Sequence, residues 1–146
     1  MDFMKEALKE AEKAKRLGEV PVGAVIVKDD EIISRGYNRR EILNSVLAHG
    51  EIMAIDEATK VLNNWRLDGC SMYVTLEPCP MCAGAILQSR ISKLYIGTFD
   101  PVSGAAGSVI NILENDNLNK WTNVKWCYDE ECSSVLINFF KERRKS

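Results

Sequence analysis

Histidine is nearly absent: the 146 residues hold one, His49. Any metal site must therefore draw most of its ligands from cysteine or carboxylate. Positive charge is not in excess either. Nineteen Lys and Arg stand against 21 Asp and Glu, a net charge of −2, so the molecule as a whole is no basic nucleic-acid binder, and any such contact must come from a local patch. Long apolar runs are missing as well. The longest, Val20 to Val27, contains Pro21 and Gly23 and falls far short of the roughly 18 residues that a membrane span needs. The five cysteines, Cys70, Cys79, Cys82, Cys127 and Cys132, are an odd number, which argues against a disulfide framework. Met1 to Glu6 enter an amphipathic pattern at once, without the layout of a signal peptide. These absences lead to the expectation of a cytoplasmic protein in a reducing setting, with no membrane partner. No repeat, linker or low-complexity segment interrupts the chain, so one domain over residues 1–146 is expected.

The pattern that is present alternates helices with strands. Phe3, Met4, Ala7, Leu8, Ala11, Ala14 and Leu17 recur at helical spacing, and Gly18 ends that helix. Val20 to Val27 reads as a buried strand and Ile32 to Tyr37 as a second, with Lys28 to Glu31 as the turn of a hairpin. Residues 38–47 have no clean period and read as a surface loop. The helical period returns from His49 to Leu62, with Ile52, Ile55, Thr59 and Leu62 on one face and Ala54 and Ala58 flanking it; Asn63 and Asn64 stop it. Ser71 to Leu76 is a strand, Pro80 to Ser89 a helix and Ile91 to Gly97 a strand. Pro101 to Ser108 is a loop of small residues. Asn123 to Tyr128 is a last strand, and a helix from Asp129 to about Lys145 has Val135, Leu136, Phe139 and Phe140 on its apolar side. Its acidic first turn and basic last turn match the helix dipole. The expected architecture is α/β, a three-layer α/β/α arrangement with a central five-stranded sheet. The sheet is mixed, because a hairpin opens it and strand–helix–strand units complete it.

The chemistry concentrates at two helix starts. Cys79-Pro80-Met81-Cys82 joins a strand to a helix. Pro80 fits the first helical position, where its missing N–H costs nothing. Cys79 then sits at the N-cap, and Cys82 follows about one turn on, on the same side. The positive end of the helix favours thiolates, which are what zinc takes as ligands. Two sulfurs are half a zinc site. His49 opens the preceding helix and supplies a third donor. Glu51, two residues on, is turned about 200° from it, so one side chain can ligate while the other reaches a water. Three protein donors with one open position describe a catalytic zinc. A zinc ribbon would need a second Cys pair, which Cys127 and Cys132 make poorly. A thioredoxin-like redox pair would need neither His49 nor Glu51.

The two motifs, His49-Gly50-Glu51 and Pro78-Cys79-Pro80-Met81-Cys82, match the H-x-E…P-C-x-x-C signature of zinc nucleobase deaminases. The chain as a whole resembles the bacterial tRNA-specific adenosine deaminases of the cytidine deaminase-like superfamily. The resemblance runs nearly end to end, through Val20 to Val25, Gly36 to Arg39, Ala48 to Ile55, Asn64 to Leu67, Tyr73 to Cys79, Gly104 to Ser108, Glu131 to Ser133 and Phe139 to Lys141. It implies one zinc-dependent deaminase domain that converts the wobble adenosine of a tRNA anticodon to inosine and works as a homodimer. It places a single zinc on His49, Cys79 and Cys82 and the proton shuttle on Glu51. It implies substrate contacts at Asn38, Ala48, Leu76, Asp100 and Asn119, with Asn38 on the target base and Asp100 and Asn119 on the anticodon loop. The chain departs from the family pattern at Gly50, usually Ala, at Ser45-Val46-Leu47, and at Lys120, often His.

Two other readings stay open on the residues alone. The same zinc chemistry would serve a deaminase of a free base or nucleoside, and the same donors would serve a non-catalytic zinc-binding module. The tail Lys141-Glu142-Arg143-Arg144-Lys145 carries a net +3, which reads first as a dipole complement and solvated surface and second as a phosphate contact. Trp65, Trp121 and Trp126 read first as core and second as stacking platforms. Cys70, Cys127 and Cys132 read as small buried apolar residues.

Overall fold

In a computed structural model, which describes residues 1–145 with the Lys145 side chain left out, five strands form one sheet between two helical layers. The elements run α1 (Phe3–Arg16), β1 (Gly23–Lys28), β2 (Glu31–Tyr37), α2 (Gly50–Leu62), β3 (Ser71–Leu76), α3 (Pro80–Gln88), β4 (Lys93–Thr98), β5 (Asn123–Trp126) and α4 (Glu130–Lys145). A short 3₁₀ turn, Asp116–Leu118, precedes β5. The strand order is β2-β1-β3-β4-β5. β1 is antiparallel to both neighbours, and β3, β4 and β5 are parallel. The sheet is therefore mixed, as the hairpin and the β3–α3–β4 unit require.

Alternation along the strands divides the core in two. Ala24, Ile26, Met72, Val74, Leu94 and Ile96 face one way and meet Ala54 and Ala58 of α2 and Ala83, Ile86 and Leu87 of α3. Val25, Val27, Tyr73 and Tyr95 face the other way and meet Met4, Ala7 and Leu8 of α1 and Cys132 and Val135 of α4. Tyr73 and Tyr95 stack there, 4.3 Å between centroids and 3° from parallel. The cross-over from β4 to β5 is a long connection over residues 99–122. It buries Ala105, Ala106 and Leu113 in the core where a helix would otherwise cover the sheet.

Several sequence expectations shift. Residues 20–22 are not strand; Pro21 has no N–H to give a ladder, and the Val20 and Val22 carbonyls instead receive the Asn38 side-chain and backbone N–H groups. β5 stops at Trp126, because Tyr128 turns the chain with a left-handed φ of 49°. The buried face of α2 is Gly50, Glu51, Ala54 and Ala58, while Ile52, Ile55, Thr59 and Leu62 are half-buried. Close packing decides this: a Cβ on Gly36 of β2 would lie 2.2 Å from the Gly50 carbonyl oxygen and 2.7 Å from the Ala54 nitrogen. Helix and strand meet backbone to backbone, so only small residues fit between them. Trp65 and Trp121 are exposed at 52% and 60%, and Trp126 alone packs on the core. Cys70 and Cys132 are buried as expected, but Cys127, just past the end of the edge strand, is exposed. Phe140 is largely exposed, whereas Val135 and Phe139 are buried.

Candidate active site and metal centre

His49 and Cys79 are the N-cap residues of α2 and α3, both in extended backbone. Pro80 holds the first helical position after Cys79. The two helices pack on the same face of the sheet, so their N-termini converge. His49 Nδ1 lies 3.7 Å from Cys79 Sγ and 3.5 Å from Cys82 Sγ. All three donor atoms lie within 4.8 Å of one another. Zinc at its usual bond lengths and tetrahedral angle would set such N···S pairs about 3.6 Å apart. The donor set therefore fits zinc in number, chemistry and spacing, and two converging helix N-termini favour the thiolate forms.

Contacts within the donor set shift its three groups in different directions. Hydrogen bonding from Cys82, reinforced by His49, pushes the Cys79 thiol down to about 4 against its burial. The same Cys79 contact, together with burial and the nearby Glu51, pushes Cys82 well above the usual thiol range. His49 is raised by its hydrogen bond to Cys79 and by Glu51, against burial and Arg40. Glu51 is 3% exposed. Burial pushes its carboxyl up to about 7, and the Cys79 charge adds to that while His49 opposes it. A carboxyl poised near neutrality can both take and give a proton.

The cleft holding these groups is lined also by Val20, Val22, Asn38, Arg40, Leu76, Glu77, Asp100 and Ser103. It brings Asn38, Leu76 and Asp100 to the same opening as His49, Glu51 and Cys79. Asn38 is 8% exposed; its Nδ2 donates to the Val20 carbonyl and its Oδ1 accepts from the Arg40 N–H. That fixes its amide with one proton and one lone-pair direction to spare. Asp100 binds its own loop, accepting from the Val102 and Ser103 N–H groups and the Ser103 hydroxyl. Ala48 is buried behind His49, its carbonyl accepting from the Arg39 N–H. Asn119 lies in a different depression, with Lys120, Trp121 and Arg90.

Two buried carboxylates that sequence reasoning missed hold the cleft walls. Glu77, 2% exposed, accepts from the N–H groups of Asp100, Ala106 and Ser108 at 2.9, 2.9 and 3.1 Å and from the Ser108 hydroxyl. A Cβ on Gly104 would lie 2.4 Å from its carboxyl carbon, so that position must be bare for the loop to wrap the carboxylate. Glu19, 1% exposed, accepts from the N–H groups of Glu41 and Ile42 and ties down the opposite loop. The one available signal was Glu77 itself, an acid at the end of an apolar strand directly before Pro78-Cys79. Arg40 was missed too; it puts a cation at the cleft mouth.

The family model for the cytidine and deoxycytidylate deaminase zinc-binding region matches residues 1–98. The chain is 50% identical over 144 residues to a tRNA-specific adenosine deaminase of Bacillus subtilis (strain 168), covering 98% of this chain and 89% of that one. It is 49% identical over 146 residues to a tRNA-specific adenosine deaminase of Aquifex aeolicus (strain VF5), covering 99% and 95%. A solved structure from a study of A-to-I editing by tRNA:A34 deaminases superposes with a TM-score of 0.88 at 42% identity, over 92% of this chain and 98% of that one. A guanine deaminase structure from Bacillus subtilis superposes less well, TM-score 0.63 at 32% identity, over 80% and 87%. With its donor set in place and these relatives spanning nearly its whole length, the chain belongs to the zinc-binding cytidine and deoxycytidylate deaminase family, among the tRNA-specific adenosine deaminases.

Proposed function

We propose that the protein hydrolyses adenosine to inosine at the wobble position of a tRNA anticodon, as a single-domain cytoplasmic homodimer. The observation that carries the reading is a zinc-type donor set beside a buried carboxylate that opens on the same cleft. The relatives' identity supports the RNA substrate, and the family resemblance supports the dimer. The cytoplasmic assignment follows the expectation from sequence; among the described residues no helix is long and apolar enough to cross a membrane.

His49, Cys79 and Cys82 would hold one zinc, which supplies Lewis acidity and makes water nucleophilic at neutral pH. Glu51 takes the proton from the water that adds to C6 of adenine and passes it to ring N1. Glu51 then moves a second proton to the exocyclic amine, and ammonia leaves. Asn38, its amide fixed from two sides, reads an edge of the base. Leu76 packs against the ring, and Ala48 fixes the backbone just before His49. Asp100, Asn119 and Arg40 meet the anticodon loop, where an unstacked base is cheap to extrude.

The test is sequencing of total tRNA after incubation with the protein. A-to-G readout confined to a wobble position supports the reading. Turnover of free guanine, cytosine or adenine with no change in tRNA would refute it in favour of a free-base deaminase. The Bacillus guanine deaminase neighbour is the specific observation that keeps that second reading in view.

A further inference from the structure

Beside the cleft lies a second concavity, walled by Phe99, Trp126 and Tyr128 and floored by Ala106, Gly107 and Ser108. Phe99 follows the C-terminal end of β4, and Trp126 ends the adjacent parallel strand β5. Ligands of open α/β sheets gather at that end. Trp126 is half-buried, backed by the core. Tyr128 is 71% exposed and Phe99 54%. The Trp126 and Tyr128 rings stack, 6.0 Å apart and 18° from parallel. Tyr128 holds a left-handed φ of 49°, fixed on either side where the Cys127 and Asp129 N–H groups donate to the Ile96 and Gly97 carbonyls at 2.8 and 2.7 Å. A bulky ring is thus pinned outward in a backbone conformation that such residues avoid.

The two concavities share a wall. The Glu77 carboxylate accepts from Asp100, which lines the cleft, and from Ala106 and Ser108, which floor the aromatic site. Among the described residues no Lys or Arg lines the aromatic site, so its chemistry suits a flat ring and not a phosphate. Aromatic faces accept any nucleobase by stacking.

We infer that Phe99, Trp126 and Tyr128 form a stacking subsite for a nucleobase next to the target adenosine in the RNA. The inference rests on the proposed RNA substrate and adds to it a grip on a neighbouring base. The flat, uncharged walls and the continuity with the cleft favour that occupant over a protein side chain or a sugar-phosphate segment.

The experiment uses the zinc-loaded full chain and an anticodon stem-loop, intact or with an abasic site 5′ or 3′ of the target. On the intact stem-loop, Phe99→Ala and Tyr128→Ala should each raise KM about fivefold or more and lower kcat less. Tyr128→Phe should restore KM, since it keeps the ring. Trp126→Leu, which keeps an apolar side chain against the core, should behave like the alanine variants, and thermal melts establish that each variant is folded. On the substrate lacking the stacked base, wild type and variants should have equal KM. Unchanged KM in the variants would overturn the subsite. So would a penalty that persists undiminished on both abasic substrates, because the rings would then be acting elsewhere. If wild-type protein forms no inosine in the intact stem-loop, the proposed RNA substrate itself fails, and the subsite falls with it.

Discussion

Replacing Glu77 by Gln changes no volume, yet it should damage the cleft. Each carboxylate oxygen accepts two hydrogen bonds. One takes the Asp100 N–H and the Ser108 hydroxyl, the other the Ala106 and Ser108 N–H groups. The Gln side chain must turn its NH₂ toward one pair. Facing Asp100 and Ser108 is the cheaper choice, because the Ser108 hydroxyl can rotate and accept. The Asp100 N–H is then left opposite a donor, and the remaining bonds lose charge assistance. A hydrogen bond to a charged group contributes about 1.5–3 kcal/mol, and an orphaned buried donor costs about 1–3 kcal/mol more. A loss of roughly 2–4 kcal/mol follows. It falls first on residues 100–108, which are held by this carboxylate, so it shows as local opening before global unfolding. Amide hydrogen exchange should lose protection at Asp100, Ala106 and Ser108, and kcat/KM should fall by about 10–100-fold. Urea unfolding followed by fluorescence separates the local from the global share. Unchanged exchange in residues 100–108 together with unchanged kcat/KM would refute the assignment of Glu77 as the pin of that wall.

Gly36→Ala should cost about 3 kcal/mol or more, because its Cβ meets the backbone of α2 at 2.2 Å; urea titration would show this, and zinc content should drop with it, since α2 carries His49. Gly50→Ala, by contrast, brings a Cβ only to 3.2–3.3 Å of its neighbours, so stability should change by less than about 1.5 kcal/mol and activity should persist; loss of fold on this change would contradict the packing account. Glu6 is held down at about 2, below its ordinary 4.5, first by Lys9 and then by Arg35. Its folded pKa is the lower one, so its contribution is present above about pH 4.5 and is lost as pH falls toward 2; urea midpoints of wild type and Glu6→Gln should differ at pH 6 and converge by pH 2, and a constant difference would count against the ion pair.

The metal centre was legible because few residue types can hold zinc and the chain has one histidine. A Cys-x-x-Cys with Pro at the first helical position, and H-x-E on another helix start, left little freedom in where the donors would meet. The sheet was legible from period-two alternation, which is why Tyr73 and Tyr95 separate cleanly from Met72, Val74, Leu94 and Ile96. The buried face of α2 was not. Apolar periodicity selects the largest residues, whereas a helix pressed on Gly36 selects the smallest. Glu19 and Glu77 were hidden for a related reason. Their partners are backbone N–H groups about 22 to 31 positions away in the chain, and a backbone group leaves no mark in residue type. Trp65 escaped the core because Arg66 and Arg90 lie over its ring at 4.3 and 5.8 Å, a surface arrangement that composition does not reveal. Asn119 was assigned to the anticodon loop by resemblance; in the structure it lines a depression of its own with Arg90, Lys120 and Trp121.

The central claim is that zinc binding and proton transfer are separate tasks, given to His49, Cys79 and Cys82 on one side and to Glu51 on the other. Zinc per chain and inosine formed in tRNA, measured on the same preparations of wild type, Glu51→Gln and His49→Ala, test it most directly. The account predicts one zinc per chain in wild type and in Glu51→Gln, with inosine from wild type alone, and depleted zinc without inosine in His49→Ala. Inosine from Glu51→Gln, or a full zinc complement in His49→Ala, would contradict it.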